Sequence, residues 1–267
     1  MVETVFSVMI KGIILTYTVL LFPLIQKFLE TQVSQYHNKQ KQQEERINEI
    51  NIKYLSPLRL YLKESYIRLY KISQKIQEVD SHLSLISLNR ALDLKNQSPS
   101  WVINEGYYLI SSCYIVGCLF ACIKRIRDNI AFIKIGKNKD AVLLQYMDQI
   151  NLAFAHSKGG GVSFIIQLSI AQDIWLKEEQ RLMTYREFCE MLLNDKIQEW
   201  WYSLIDFFIE AGKKNEIKIK RLQLAINAIE NLANFLDKNI GQGDSIDIVK
   251  KFVVEDMITR DDKDGET

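Results

Sequence analysis

The sequence predicts an all-α protein, an N-terminal transmembrane helix followed by a multi-helix bundle. Three observations carry this. Only three prolines and 11 glycines interrupt 267 residues, so long stretches lack both helix breakers. Apolar residues recur three and four apart through most of the chain, the period of a helix face. The opening residues stay almost uncharged for the length of a bilayer core. Composition agrees with a globular domain: 48% apolar residues, 34 basic against 33 acidic, net charge +1. It excludes a disordered, collagen-like or disulfide-rich chain. The near-neutral balance argues against a nucleic-acid-coating protein.

Residues 4–25, TVFSVMIKGIILTYTVLLFPLI, carry one charge, Lys11. As a helix they span about 33 Å at 1.5 Å per residue, close to the hydrocarbon thickness. Lys11 lies near the entry, where its stem can snorkel, and Pro23 near the exit. The run ends in Gln26-Lys27-Phe28-Leu29-Glu30, without the small residues of a cleavage site. Residues 1–30 are therefore read as a membrane anchor. Lys27, Lys39, Lys41, Arg46 and Lys53 follow it. By the positive-inside rule the bulk of the chain faces the cytoplasm, giving a single-pass protein of the cell membrane.

Residues 31–55 are polar and rich in Gln, Glu and Lys, a helical stalk. Ile47, Ile50 and Tyr54 form a thin apolar stripe, which suits a solvated spacer or a short self-association seam. Residues 56–254 read as one helical cytoplasmic domain. Ser56-Pro57 looks like a helix start, with Leu58, Tyr61, Leu62, Leu69 and Ile72 on one face. Ser98-Pro99 opens a second helix expected to run through Trp101 to about Ile133. Within it, residues 106–123 carry no charge and are long enough to span a membrane. Tyr, Ser and Gly content and the Lys124, Arg125, Arg127 cluster behind them favour a buried core helix.

The chain turns near Gly136, and Asn138 is placed to cap residues 139–155. His156-Ser157-Lys158-Gly159-Gly160-Gly161 breaks the pattern. The stretch from Val162 to Trp175 suits strand or helix. Thr184-Tyr-Arg-Glu187 is a capping box, and Asp195 is placed to cap a helix carrying Trp200, Trp201, Leu204, Ile205 and Phe208 to Gly212. Residues 215–239 form an amphipathic helix through Ile219, Leu222, Ala225, Ile226, Ile229, Leu232, Ala233 and Leu236. Gly241 ends it. A short helix is expected over 245–254, and residues 255–267, six acids against two bases, form an acidic flexible tail.

Chemistry-bearing motifs are sparse. Cys113, Cys118, Cys122 and Cys189 suit reduced, buried thiols. Three histidines and the lack of a ligand cluster predict no metal and no cofactor. The glycine run lacks the Lys-Ser/Thr ending of a phosphate loop. Asn151-Leu-Ala-Phe-Ala-His156 resembles part of the ribonuclease motif of HEPN-type helical domains, with Asn151 and His156 as the catalytic candidates. Ile150 stands where that motif has Arg. Lys124, Arg125, Arg127, Lys134, Lys137 and Lys139, with only Asp128 against them, form a candidate partner or lipid-binding patch. Glu179 and Arg181 are candidates for a polar pocket, and Arg68, Arg125, Arg127, Asp173 and Glu210 for ion pairs buried in the bundle.

Several stretches resemble a family of uncharacterised bacterial proteins with an N-terminal membrane helix and a helical cytoplasmic domain. They are Leu58-Arg-Leu-Tyr-Leu-Lys-Glu-Ser-Tyr-Ile-Arg68-Leu-Tyr-Lys-Ile72, Glu105-Gly-Tyr-Tyr-Leu-Ile, Glu179-Gln180-Arg181, the tryptophan-rich helix and the 215–239 helix. The family pattern Leu-x-Ser-Arg-Leu-Tyr-Asn-Ile is matched in part, since Tyr66-Ile67 precede Arg68-Leu69-Tyr70 here. The resemblance covers most of residues 57–239. It implies the architecture and brings no activity or catalytic residue.

The main expectation is a membrane-anchored protein acting by interaction, through self-association (a homo-oligomer) or docking of a protein partner, with nucleic acid not expected. The alternatives are a membrane-located effector, as a pore-former or a nuclease using His156, and a small-ligand sensor using Glu179 and Arg181.

Overall fold

A computed structural model describes residues 26–42, 44–77, 88–130, 133, 138–155 and 161–240. The expected span at 4–25, the loop at 156–160, Gly136, Gly241, the helix at 245–254 and the tail lie outside them. The chain divides into two compact units, Met1–Lys53 and Tyr54–Thr267. Within the first, residues 26–42 and 44–50 are helical, and all but Ile50 are exposed.

Among its described residues the second unit is helical, with one short hairpin and connecting turns. Its first helix, α1, is Ser56–Gln77. The α-helix begins at Ser56-Pro57 as expected, but Ser56 does not cap a free end, because a π turn over Asn51–Leu55 already precedes it. Pro57 offers no N–H to the turn before it. α1 buries Leu58, Leu62, Tyr66, Leu69 and Ile72, and packs on α3 and α8.

The single helix expected from Ser98 to Ile133 is two. α2 is Pro99–Ile103, capped by the Ser98 hydroxyl on Trp101 N. α3 is Tyr107–Asn129. Between them Gly106 lies under the Trp101 ring, and a Cβ there would stand 2.4 Å from Trp101 Cζ3. α3 is the central element. It is apolar and long enough to cross a membrane, yet 78% of its most apolar window is buried within the fold.

α4 is Lys139–Phe154. Asn138 precedes it at φ 64° and makes no side-chain cap, so its role is the left-handed turn that Asn tolerates, not the expected cap. The ambiguous stretch resolves as helix: α5 is Phe164–Ile174, capped by Ser163 on Ile166 N. It is followed by an antiparallel hairpin, β1 Trp175–Leu176 and β2 Arg181–Leu182. Gln180 takes the left-handed position of its turn at φ 53°. α6 is Tyr185–Leu192, with the Thr184–Glu187 capping box formed as the spacing predicts. α7 is Asp195–Gly212 and α8 is Glu216–Ile240.

α4 lies along α8, α3 along α5, and α7 contacts α3, α5 and α8. Two runs of rings pack in the unit, the first reaching from the exposed Tyr107 into the core. Tyr107, Tyr185, Phe188 and Trp201 form one, with Phe188 and Trp201 4.7 Å apart. Phe120, Phe154 and Phe207 form the other, at 5.2 and 5.4 Å. Gly117 lets α3 approach the Trp201 ring, where a Cβ would stand 2.7 Å from Cη2. The face of α8 follows the expected pattern with one change: Lys218 is buried and Ile219 half-buried. The Lys218 ammonium sits 5.8 Å from the Phe207 ring centre, and Glu210 and Asp206 face it electrostatically.

Candidate functional site

The basic patch begins on the last turns of α3. Lys124 pairs with Asp128 one turn on. Arg127 pairs with Asp148 of α4, an acid 21 residues away that no local count of charge could include. The Arg125 guanidinium lies over the Trp175 ring, 3.5 Å from its centre, with the Tyr54 ring at 5.1 Å. Burial lowers its pKa from the ordinary guanidinium value. Lys139 Nζ donates to the Asn239 carbonyl near the end of α8 at 3.2 Å, a favourable place for a cation. Lys134 and Lys137 lie outside the described residues. Four of the six expected lipid or partner contacts are thus engaged with groups of the chain itself.

The Glu179–Arg181 candidates sit on the hairpin. Arg181 Nε donates to Glu179 Oε2 at 2.6 Å. Its two Nη atoms reach both oxygens of Glu187 at 2.8 and 2.7 Å, the bidentate geometry a guanidinium favours. Glu187 Oε2 also accepts from Thr184 N and Oγ1 at 2.7 and 2.8 Å. The Arg181 guanidinium, then the Thr184 donors, hold the Glu187 carboxyl well below the usual carboxylate range. The pair therefore ties β2 to the start of α6.

Asn151 is buried on α4, and its carbonyl accepts from Gln167 Nε2 at 2.9 Å. His156 lies outside the described residues, so the place of this second nuclease candidate relative to Asn151 is not described. The expected buried ion pairs take other forms. Arg68 covers the Tyr108 ring at 4.5 Å and donates to Tyr108 O at 3.4 Å. Asp173 accepts from Trp201 Nε1 at 3.1 Å, and burial raises its pKa against that hydrogen bond. Glu210 pairs with Lys213 at 3.3 Å on the surface. Aromatic planes and an indole N–H supply the partners, because α3 and α7 present rings where these charges emerge.

All four cysteines are free and buried. Burial pushes the Cys118 thiol up to about 12, far from the thiolate a nucleophile needs. Among the described residues no group of three His, Cys, Asp or Glu is placed to hold a metal ion.

One concavity was not foreseen. A groove between α4 and α8, about 290 Å³, is lined by Leu152, Ala153, Arg221, Leu224, Asn227 and Asn231 among others. Arg221 spans it, donating to the Leu152 carbonyl at 3.1 Å. Leu152 and Leu224 stay 64% and 50% exposed there. The signal was Leu224, which is off the core face of α8. No protein-family model, no curated protein and no solved structure matches this chain.

Proposed function

We propose that the chain is a membrane-anchored protein acting by interaction, with residues 4–25 as the span and the helical unit from Tyr54 as the working domain on the cytoplasmic side. The observation that carries this reading is the helix of residues 26–50. It follows directly on the apolar stretch, and its described residues are exposed on every side up to Glu49. A polar helix between an apolar segment and a compact unit has the build of a stalk. The family resemblance of residues 57–239 points the same way. A pore reading has less support, since the helix it would send into lipid, α3, buries most of its apolar window.

Fractionation tests the proposal. The full chain should stay with the membrane pellet through an alkaline carbonate wash, and a chain lacking residues 1–25 should move to the supernatant. A full chain that the wash extracts would overturn the anchor.

A further inference from the structure

The helical residues 26–42 and 44–50 carry all their apolar side chains but Phe28 on one line. Leu29, Val33, Tyr36 and Ile47 are 56%, 57%, 63% and 47% exposed. With Gln40 and Ile50 they fall at successive spacings of four, three, four, seven and three. Gln43, which divides the seven into three and four, lies outside the described residues and enters by sequence alone. Gln40 Nε2 meets Tyr36 OH at 3.4 Å, as neighbours on one face do. Phe28 and Ile52, also exposed, lie off this line. This is the 3.5-residue repeat of a two-stranded seam over three heptads, with Leu29, Tyr36, Gln43 and Ile50 at d and Val33, Gln40 and Ile47 at a.

We propose that this seam pairs in parallel with the same seam of a second copy of the chain. The proposal deepens the interaction reading above and rests on it. Three features select that occupant. β-branched Val33 and Ile47 at a and Leu29 at d suit two parallel strands. The Gln40 layer is self-complementary, because a carboxamide both donates and accepts and is satisfied by an identical carboxamide opposite. Such a polar layer also fixes register. Charge then sets direction. In the parallel pair, Lys39 at g faces Glu44 at e of the other strand, twice by symmetry. An antiparallel pair that keeps Gln40 opposite Gln43 would set Lys39 against Arg46. Both Lys39 and Glu44 are exposed and available for this. Two copies anchored by residues 4–25 in one membrane would also leave it in the same direction.

Cysteine cross-linking on the full chain in lipid vesicles tests the seam. The native thiols are all buried, so their background is low. Val33→Cys and Ile47→Cys should each give an oxidised dimer, whereas Asn38→Cys and Glu45→Cys, at the outer f positions, should not. Mixing Val33→Cys with Ile50→Cys chains should give no mixed dimer. Lys39→Glu should weaken dimerisation by about tenfold, and Lys39→Glu combined with Glu44→Lys should restore it. Equal cross-linking at inner and outer positions, none at either, or a mixed 33–50 dimer would each overturn the proposal. Pelleting of the same samples separates it from the anchor: a monomer in the pellet removes the seam alone, and a cross-linked dimer in the supernatant removes the anchor alone.

Discussion

The helix of residues 26–50 and α3 are of similar length, and both carry many apolar side chains. They meet opposite fates. In α3 the apolar residues surround the axis, and Gly, Ser and Cys leave room for neighbours, so that Leu109, Cys113, Val116, Cys118, Leu119 and Ile123 are all buried. In residues 26–42 and 44–50 all but Phe28 hold to one line among Gln, Glu and Lys, and that line stays exposed as far as Ile47. A helix apolar all round is enclosed by its own fold, whereas one with a single narrow stripe has a face to offer. Content alone would not separate the two. Arrangement around the axis does.

The largest way to break this contrast is to close the room that α3 leaves. Gly117→Val places its Cβ 2.7 Å from Trp201 Cη2 and 3.4 Å from Ile170 Cγ2. The ring cannot step back, since it is wedged on Phe188 and held through Nε1 to Asp173. The expected loss is about 3 kcal/mol of unfolding free energy, read by urea denaturation followed through tryptophan fluorescence. An unchanged midpoint would show that the contact is not tight. Next comes Val116→Ala on the same helix. It removes two methyl groups from a fully buried site and should cost about 2 kcal/mol in the same measurement.

How much of this was legible in the sequence follows from the range of each interaction. Local signals read true: the Thr184–Glu187 box needs only four residues, and the core face of α8 only its own periodicity. The break at Gly106 and the hairpin at Trp175 were not legible. Gly106 is set by the Trp101 ring five residues back. The hairpin has no Gly or Asn-Gly at its turn, and Gln180 takes the left-handed position instead. The candidate sites fared worse, because charge partners come from other elements. Asp148 answers Arg127, Trp175 answers Arg125, and Phe207 lies against Lys218. A residue count along the chain sees none of these.

Smaller effects sharpen the picture at the surface. Thr184→Ala removes the cap of α6, and its loss should be about 1 kcal/mol. A Thr184→Ser variant should keep most of the cap, which a merely apolar role of the Thr methyl would not predict. Smaller again is a pH effect at Glu187. Its folded pKa lies below the usual carboxylate value, so its contribution is present above about pH 4.3 and is lost as pH falls below that. Wild type should therefore exceed Glu187→Gln in stability at pH 7, with the gap narrowing on acidification below pH 4 and with added salt. A gap independent of pH would show that the ion pair with Arg181 contributes nothing.

The smallest expected effect on stability carries the comparison most directly. Val33→Ala makes the same chemical change as Val116→Ala, on the exposed stripe instead of in the enclosed helix. Val33 keeps 57% of its surface exposed and Val116 none. Alanine is also the better helix former by a few tenths of a kcal/mol. Urea unfolding of the Trp201 core should therefore move by less than about 0.5 kcal/mol, while the dimer fraction of the full chain falls. If Val33→Ala destabilised the core as Val116→Ala does, the stripe would be packed against the fold instead of offered to a second copy. If it changed neither quantity, the stripe would be an ordinary solvated face. Only the split outcome, core intact and dimer weakened, matches a helix whose apolar line is meant for another chain.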